Sequence, residues 1–216
     1  MDKKDLAKLI DHTLLKSDTK IEDIKKLCEE AMEYQFYSVC INPCYVKKAK
    51  EFLKNSDVKV CTVISFPLGA STIKIKIDEA TEAIENSADE IDMVMNIGIF
   101  KSNKYDYIYE EISSVKKAIG SKILKVIIET SILNEEEKIK ASDIVKQSGA
   151  DFVKTSTGFS QGGATKEDIL LIRKTVGANF GIKASGGIKS YEQAIELINA
   201  GATRIGSSSS VKIMKE

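Results

Sequence analysis

Asp151-Phe-Val-Lys-Thr-Ser-Thr-Gly-Phe159 and Gly181-Ile-Lys-Ala-Ser-Gly-Gly-Ile188, with the amphipathic stretch Lys166–Val176 between them, read as strand, helix and strand. Each strand is a short apolar run that breaks into small polar residues, as strands of a parallel sheet covered on both faces do. Each also carries a lysine, Lys154 or Lys183, where a solvated lysine does not belong. An ammonium in such a run loses its hydration shell, so the chain has a use for it.

The same alternation extends outward in both directions. Strand candidates are Leu9–Leu14, Phe36–Ile41, Val58–Phe66, Glu90–Asn96, Ile123–Thr130, Phe152–Thr155, Gly181–Ala184 and Thr203–Gly206. Thr19-x-x-Glu22 and Ser190-x-x-Gln193 open helices as capping boxes, and further helices are expected over 77–87, 107–119, 135–148 and 166–176. Ile73-Lys-Ile-Lys-Ile77 alternates like a strand but is read as the start of a helix from its neighbours. Eight strands alternating with helices predict a single (β/α)8 TIM barrel of class α/β, with an N-terminal helical extension and one domain over residues 1–216. An open doubly wound sheet is the alternative that strand counting leaves standing. In a barrel, the C-terminal strand ends carry the active site.

Composition narrows the function classes. The 216 residues carry 32 Lys+Arg against 32 Asp+Glu, interspersed, so no basic field for nucleic acid or anionic membrane is expected. No apolar run approaches a membrane span, and the charged N-terminus lacks a signal-peptide core. Cys28, Cys40, Cys44 and Cys61 form no C-x-x-C pair and have one histidine for company, which predicts free thiols, no metal and a cytoplasmic location.

Small hydrogen-bonding residues follow Lys154, beginning with Thr155, and suit a site that holds water or sugar hydroxyls beside an amine. A second cation nearby disfavours protonation of a desolvated lysine and makes it a nucleophile; Lys183 is the candidate. Asp92, inside Glu90-Ile-Asp-Met-Val-Met-Asn96, should point into the barrel and pair with one of the lysines, and Asp11 is a weaker case of the same kind. Gly186-Gly187 and Gly206-Ser207-Ser208-Ser209 follow the seventh and eighth strands, where barrels commonly hold phosphate. Gly162-Gly163 reads as a flexible loop, His12 as a packing residue, and Cys40 as a small buried hydrophobe.

Together with Leu9-Ile-Asp-His-Thr-Leu-Leu15, Ser38-Val-Cys-Ile-Asn-Pro43, Phe66-Pro-Leu-Gly-Ala70 and Lys125-Val-Ile-Ile-Glu-Thr130, these segments resemble the deoxyribose-phosphate aldolase family from about residue 6 to about residue 210. The resemblance implies a metal-independent class I aldolase that needs no cofactor. Its reaction is the reversible cleavage of 2-deoxy-D-ribose 5-phosphate to D-glyceraldehyde 3-phosphate and acetaldehyde in deoxynucleoside catabolism. It makes Lys154 the Schiff-base residue, Lys183 the neighbouring cation and Asp92 a proton carrier. Asp11, Cys40 and Thr155 would line the substrate, and Gly186, Gly187, Gly206, Ser208 and Ser209 would bind phosphate. A homodimer is the expected assembly. The chain departs from the common pattern at Ser210 and Ser65, where glycine is frequent, and ends Met214-Lys215-Glu216 without a closing tyrosine. Two other readings compete: a different phosphosugar lyase or isomerase using Asp92 as base, and a non-catalytic barrel that binds a phosphometabolite.

Overall fold

The computed structural model describes all 216 residues. Eight parallel strands close into a barrel in chain order: β1 Ile10–Leu14, β2 Ser38–Ile41, β3 Lys59–Ile64, β4 Glu90–Val94, β5 Ile123–Ile127, β6 Phe152–Lys154, β7 Gly181–Ser185 and β8 Arg204–Ser207. The doubly wound alternative is thereby excluded, because β1 pairs with both β2 and β8. Expected strand ends ran one to three residues too long at several places, because loop segments such as Met95-Asn96 and Ile128–Thr130 continue the apolar run after the ladder has ended.

Ten α-helices accompany the strands: α1 Lys3–Ala7, α2 Ile21–Tyr34, α3 Val46–Phe52, α4 Ile73–Glu85, α5 Ile97–Lys101, α6 Tyr105–Ile119, α7 Glu135–Gln147, α8 Lys166–Val176, α9 Tyr191–Asn199 and α10 Ser210–Lys215. The helical extension before β1 is the single short α1. The ambiguous 73–77 stretch is helix, with the Thr72 hydroxyl accepting from the Ile75 N–H at 3.4 Å. One cap shifts. Asp23 accepts from the Lys20 N–H at 2.8 Å, while the Thr19 hydroxyl donates to the Lys16 carbonyl, so α2 begins a residue later than the capping box implied.

Alternation along the strands divides the molecule into two environments. Outward residues such as Ile10, Val39, Val60, Ile91, Met93, Leu124, Val126, Val153, Ile182 and Ile205 join one apolar core with the helices. Among the inward residues, seven are charged and buried: Asp11, Glu90, Asp92, Lys125, Lys154, Lys183 and Arg204. Barrel interiors are ordinarily filled by branched apolar side chains. Here ion pairs fill much of that space, and the apolar seal lies outside the sheet.

Candidate active site

Asp92 stands at the centre. Its Oδ2 accepts from Lys154 Nζ and from Lys183 Nζ, each at 2.7 Å, and its Oδ1 accepts from Lys125 Nζ at 2.8 Å. Strand register produces this meeting: Asp92 lies beside Lys125, and Lys154 beside Lys183, on neighbouring strands. Lys183 also pairs with Asp11 at 2.5 Å, and Lys125 with Glu90 at 2.5 Å. Arg204 closes the floor, bonded to Asp11 at 2.8 Å and Glu90 at 2.9 Å and stacked 3.6 Å from the Tyr37 ring. Four cations thus face three carboxylates. Lys154 has only Asp92 as a carboxylate partner, whereas Lys125, Lys183 and Arg204 each touch at least two.

Burial alone would push the Asp92 carboxyl up; the ammonium groups of Lys125, Lys154 and Lys183 overcome it and hold Asp92 well below the usual carboxylate range. Asp11 is depressed in the same way, burial being overcome by Lys183, Arg204 and Lys125. For Lys183, burial opposes the charge, and Asp11 and Asp92 win, so it is held above the usual lysine range. Asp92, Asp11 and Lys183 thus hold one another in their charged forms. Cys61 Sγ donates to Asp92 Oδ1 at 3.1 Å, and Cys40 Sγ lies 3.9 Å from Oδ2. Those three residues bring donor atoms within 4.8 Å of one another. Even so, a divalent cation there would face the three ammonium groups that already occupy the carboxylate.

A cavity of about 260 Å³ opens at the C-terminal end of the barrel, walled by Lys154, Thr157, Phe159 and the turns Gly186–Lys189 and Gly206–Ser209. Of the charged cluster, Lys154 alone reaches this wall, at 3 % exposure. Lys183 and Asp92 lie one layer below it. Asp11 and Cys40 do too, and both are fully buried, so neither lines the cavity as expected; on β1 it is Thr13, two residues nearer the strand end on the same face, that reaches the wall. Thr155 is also displaced from the expected lining. Its hydroxyl donates to the Ser185 carbonyl and accepts from the Ser185 N–H, both at 3.1 Å, joining β6 to β7.

The five residues expected at the phosphate turns all border the cavity. Gly186 (φ 87°) and Gly187 (φ 78°) adopt successive positive-φ conformations that suit glycine. Gly206 has a different reason to be small: a Cβ there would come within 2.9 Å of Lys183 Cε. The Ser209 N–H donates to Ser207 Oγ at 2.9 Å, and the Ser207 hydroxyl donates to the Ile188 carbonyl at 2.7 Å, which ties one turn to the other.

Elsewhere the packing departs from expectation. Gly162-Gly163 is packed rather than loose: Cβ atoms there would fall 2.3 Å from Ser131 Cβ and from the Gly186 carbonyl oxygen. Ser65 occupies φ 48°, which explains the family's frequent glycine at this place, and Ser210 uses its hydroxyl to cap the Ser207 carbonyl at 2.9 Å. Sequence reasoning passed over Lys125, although a lysine inside Ile123-Leu-Lys-Val-Ile127 carries the same signal as Lys154. It also missed Glu90, Arg204 and Glu129. The Glu129 carboxylate is 2 % exposed and accepts from the Thr157 N–H and hydroxyl, holding the cavity wall beside Phe159.

The comparisons with known proteins agree with this geometry. A family model described as DeoC/LacD family aldolase matches residues 6–214. The deoxyribose-phosphate aldolase of Caldanaerobacter subterraneus subsp. tengcongensis is 61% identical over 214 residues, covering 98% of this chain and 93% of that one. Its counterpart from Clostridium kluyveri is 58% identical over 217 residues, with 100% of both chains covered. A solved deoxyribose phosphate aldolase from Aeropyrum pernix, described as tetrameric, superposes with a TM-score of 0.93 at 34% identity, covering 99% of this chain and 91% of that one. With a match over nearly its whole length and a barrel that superposes on a solved member, the chain belongs to the DeoC/LacD family of aldolases.

Proposed function

We propose that this chain cleaves 2-deoxy-D-ribose 5-phosphate, reversibly, to D-glyceraldehyde 3-phosphate and acetaldehyde through an imine on Lys154. The observation that carries the assignment is the position of Lys154, the one cation of the cluster on the cavity wall and the one with a single carboxylate partner. With Lys154 as a free amine, three cations remain to face three carboxylates, so the nucleophilic form is the charge-balanced form of the interior.

The steps follow from that arrangement. The Lys154 amine attacks C1 of the open-chain sugar, and the carbinolamine loses water to give an iminium. The C3 hydroxyl then loses its proton, the C2–C3 bond breaks, and its electron pair moves through C2 and C1 onto the iminium nitrogen as an enamine. D-Glyceraldehyde 3-phosphate leaves with its new carbonyl at the former C3. Protonation of the enamine at C2 and attack by water release acetaldehyde and restore the amine. Asp92, held ionised by three lysines, takes protons through water, and Lys183 keeps the charge beside the nucleophile. The glycine and serine turns receive the phosphate and orient C1 toward Lys154, so binding at the remote end contributes to the reaction several bonds away.

Residues 1–216 form one domain in this reading, and a homodimer is its assembly, to be measured by sedimentation. The free cysteines accord with a cytoplasmic setting. No helix is long and apolar enough to cross a membrane. Borohydride with acetaldehyde, followed by peptide mapping, is expected to place an ethyl group on Lys154. An unmodified Lys154 in protein that cleaves the substrate would sink the assignment.

A further inference from the structure

We infer that Lys125 is a positioning residue for the aldol chemistry, acting through Asp92 without touching substrate. The inference rests on the aldolase reading and assigns a task to a third lysine. Lys125 is fully buried inside the barrel and is not part of the cavity wall. Its Nζ lies 2.8 Å from Asp92 Oδ1, 2.5 Å from Glu90 Oε2, 3.8 Å from Asp11 Oδ2 and 3.3 Å from Cys61 Sγ.

Its geometric effect is to divide the two oxygens of Asp92. Oδ1 is taken by Lys125 and Cys61, which leaves Oδ2 to be shared by Lys154 and Lys183. Without the Lys125 ammonium, Oδ1 keeps only a weak thiol donor, and the carboxylate is free to rotate and draw Lys154 or Lys183 toward both oxygens. The one atom that must stay at the cavity wall, Lys154 Nζ, would then be pulled from the position its attack requires. A displacement near 1 Å at a reacting atom is enough to cost about two orders of magnitude in rate.

The second effect is electrostatic. The groups facing one another in the interior are Asp11 from β1, Cys40 from β2, Cys61 from β3, Glu90 and Asp92 from β4, Lys125 from β5, Lys154 from β6, Lys183 from β7 and Arg204 from β8. Four cations and three carboxylates leave one positive charge in excess, and release of a single proton balances the cluster. Removing Lys125 balances it while Lys154 is still an ammonium. The cluster as a whole then gives up a proton less readily. Activity is expected to need higher pH, with the acidic limb of the kcat/KM profile moving up.

The test compares the parent chain with Lys125→Met on 2-deoxyribose 5-phosphate. The expected result is a fall in kcat of about 100-fold or more, a KM within about threefold because the phosphate turns are untouched, and the alkaline displacement of the acidic limb. A kcat within about threefold of the parent, or a lowered kcat with an unmoved pH profile, overturns the inference. Should Lys125→Met fail to fold, Lys125→Met/Glu90→Gln removes the stranded carboxylate along with its partner. In that double variant three cations again exceed two carboxylates by one, so the pH limb is expected to return toward the parent while the fall in kcat persists, and a kcat restored to the parental value also overturns the inference. Borohydride trapping on the parent separates the two readings. No adduct on Lys154 strikes the aldolase assignment, whereas an adduct together with a fully active Lys125→Met strikes only the role of Lys125.

Discussion

Two buried lysine–carboxylate contacts in this molecule lie on opposite sides of the same sheet and behave oppositely. Outside the barrel, Lys76 of α4 and Glu111 of α6 meet at 2.7 Å with both side chains fully buried. Inside, Lys183 and Asp92 also meet at 2.7 Å, equally buried. For the outer pair burial dominates, lowering Lys76 and raising Glu111 from their ordinary values. For the inner pair burial is overcome, so Lys183 is raised and Asp92 lowered. Distance and burial are the same, so neither explains the difference. The number of partners does. Glu111 faces one lysine, and Asp92 faces three. A single ion pair is close to break-even once desolvation is counted, whereas a network in which each ion touches several opposite charges repays the cost. The outer pair anchors backbone: Lys76 Nζ donates to the Val94 carbonyl at 2.7 Å, and Glu111 accepts from the Asn96 N–H at 3.0 Å, fixing the exit of β4 just beyond Asp92.

The largest effect is expected from breaking the inner hub. Asp92→Asn leaves three lysines sharing a neutral amide. We expect kcat to fall by about 1,000-fold or more and stability to drop by roughly 3–5 kcal/mol, read by steady-state kinetics and urea unfolding. A variant with near-parental kinetics would show that the network is structural.

The parent protein should lose stability in acid through the inner cluster. Asp11 and Asp92 have folded-state values below the ordinary aspartate value of 3.8, so their contribution is complete above that value and disappears as pH falls through the folded-state values. Thermal unfolding followed from pH 7 downward should show the melting temperature falling steeply below about pH 4. A flat profile across that window would remove the argument for an ionised interior.

The outer pair should respond with the opposite sign and by less. Lys76→Met strands Glu111, whose folded-state value is already raised above 4.5 and would rise further. The folded variant then binds more protons than the unfolded chain, so its stability falls as pH rises. The destabilisation relative to the parent should be larger at about pH 8 than at about pH 5, with kcat changed by no more than about twofold. Equal destabilisation at both pH values would mean that Glu111 stays ionised without its partner.

Much of the barrel and part of its charged interior are legible in the amino-acid sequence. Apolar runs alternating with amphipathic helices are enough to indicate eight β/α units, because both faces of each strand must be covered. Lys154, Lys183 and Asp92 stand out because a charge inside an apolar run demands a partner. Lys125 carries the same signal within Ile123-Leu-Lys-Val-Ile127, yet nothing local says that it faces Asp92. Arg204 and Glu90 are less visible still, sitting at strand starts where a charge can equally well reach solvent. Residues expected at the cavity wall separate for a similar reason. Gly206, within β8, borders the cavity as expected, whereas Thr155, directly after Lys154 in sequence, is spent on joining β6 to β7.

The sequence by itself determined the β/α periodicity, the anomalous charges on the strands and the glycine turns after β7 and β8, since each follows from local chemistry. Only the tertiary structure decided that three lysines converge on one carboxylate and that Lys154 alone of that cluster reaches the cavity. Barrel closure and strand register set how deep each inward side chain lies. Residues up to 193 positions apart, Asp11 and Arg204, meet there because of that closure, and no local pattern encodes it.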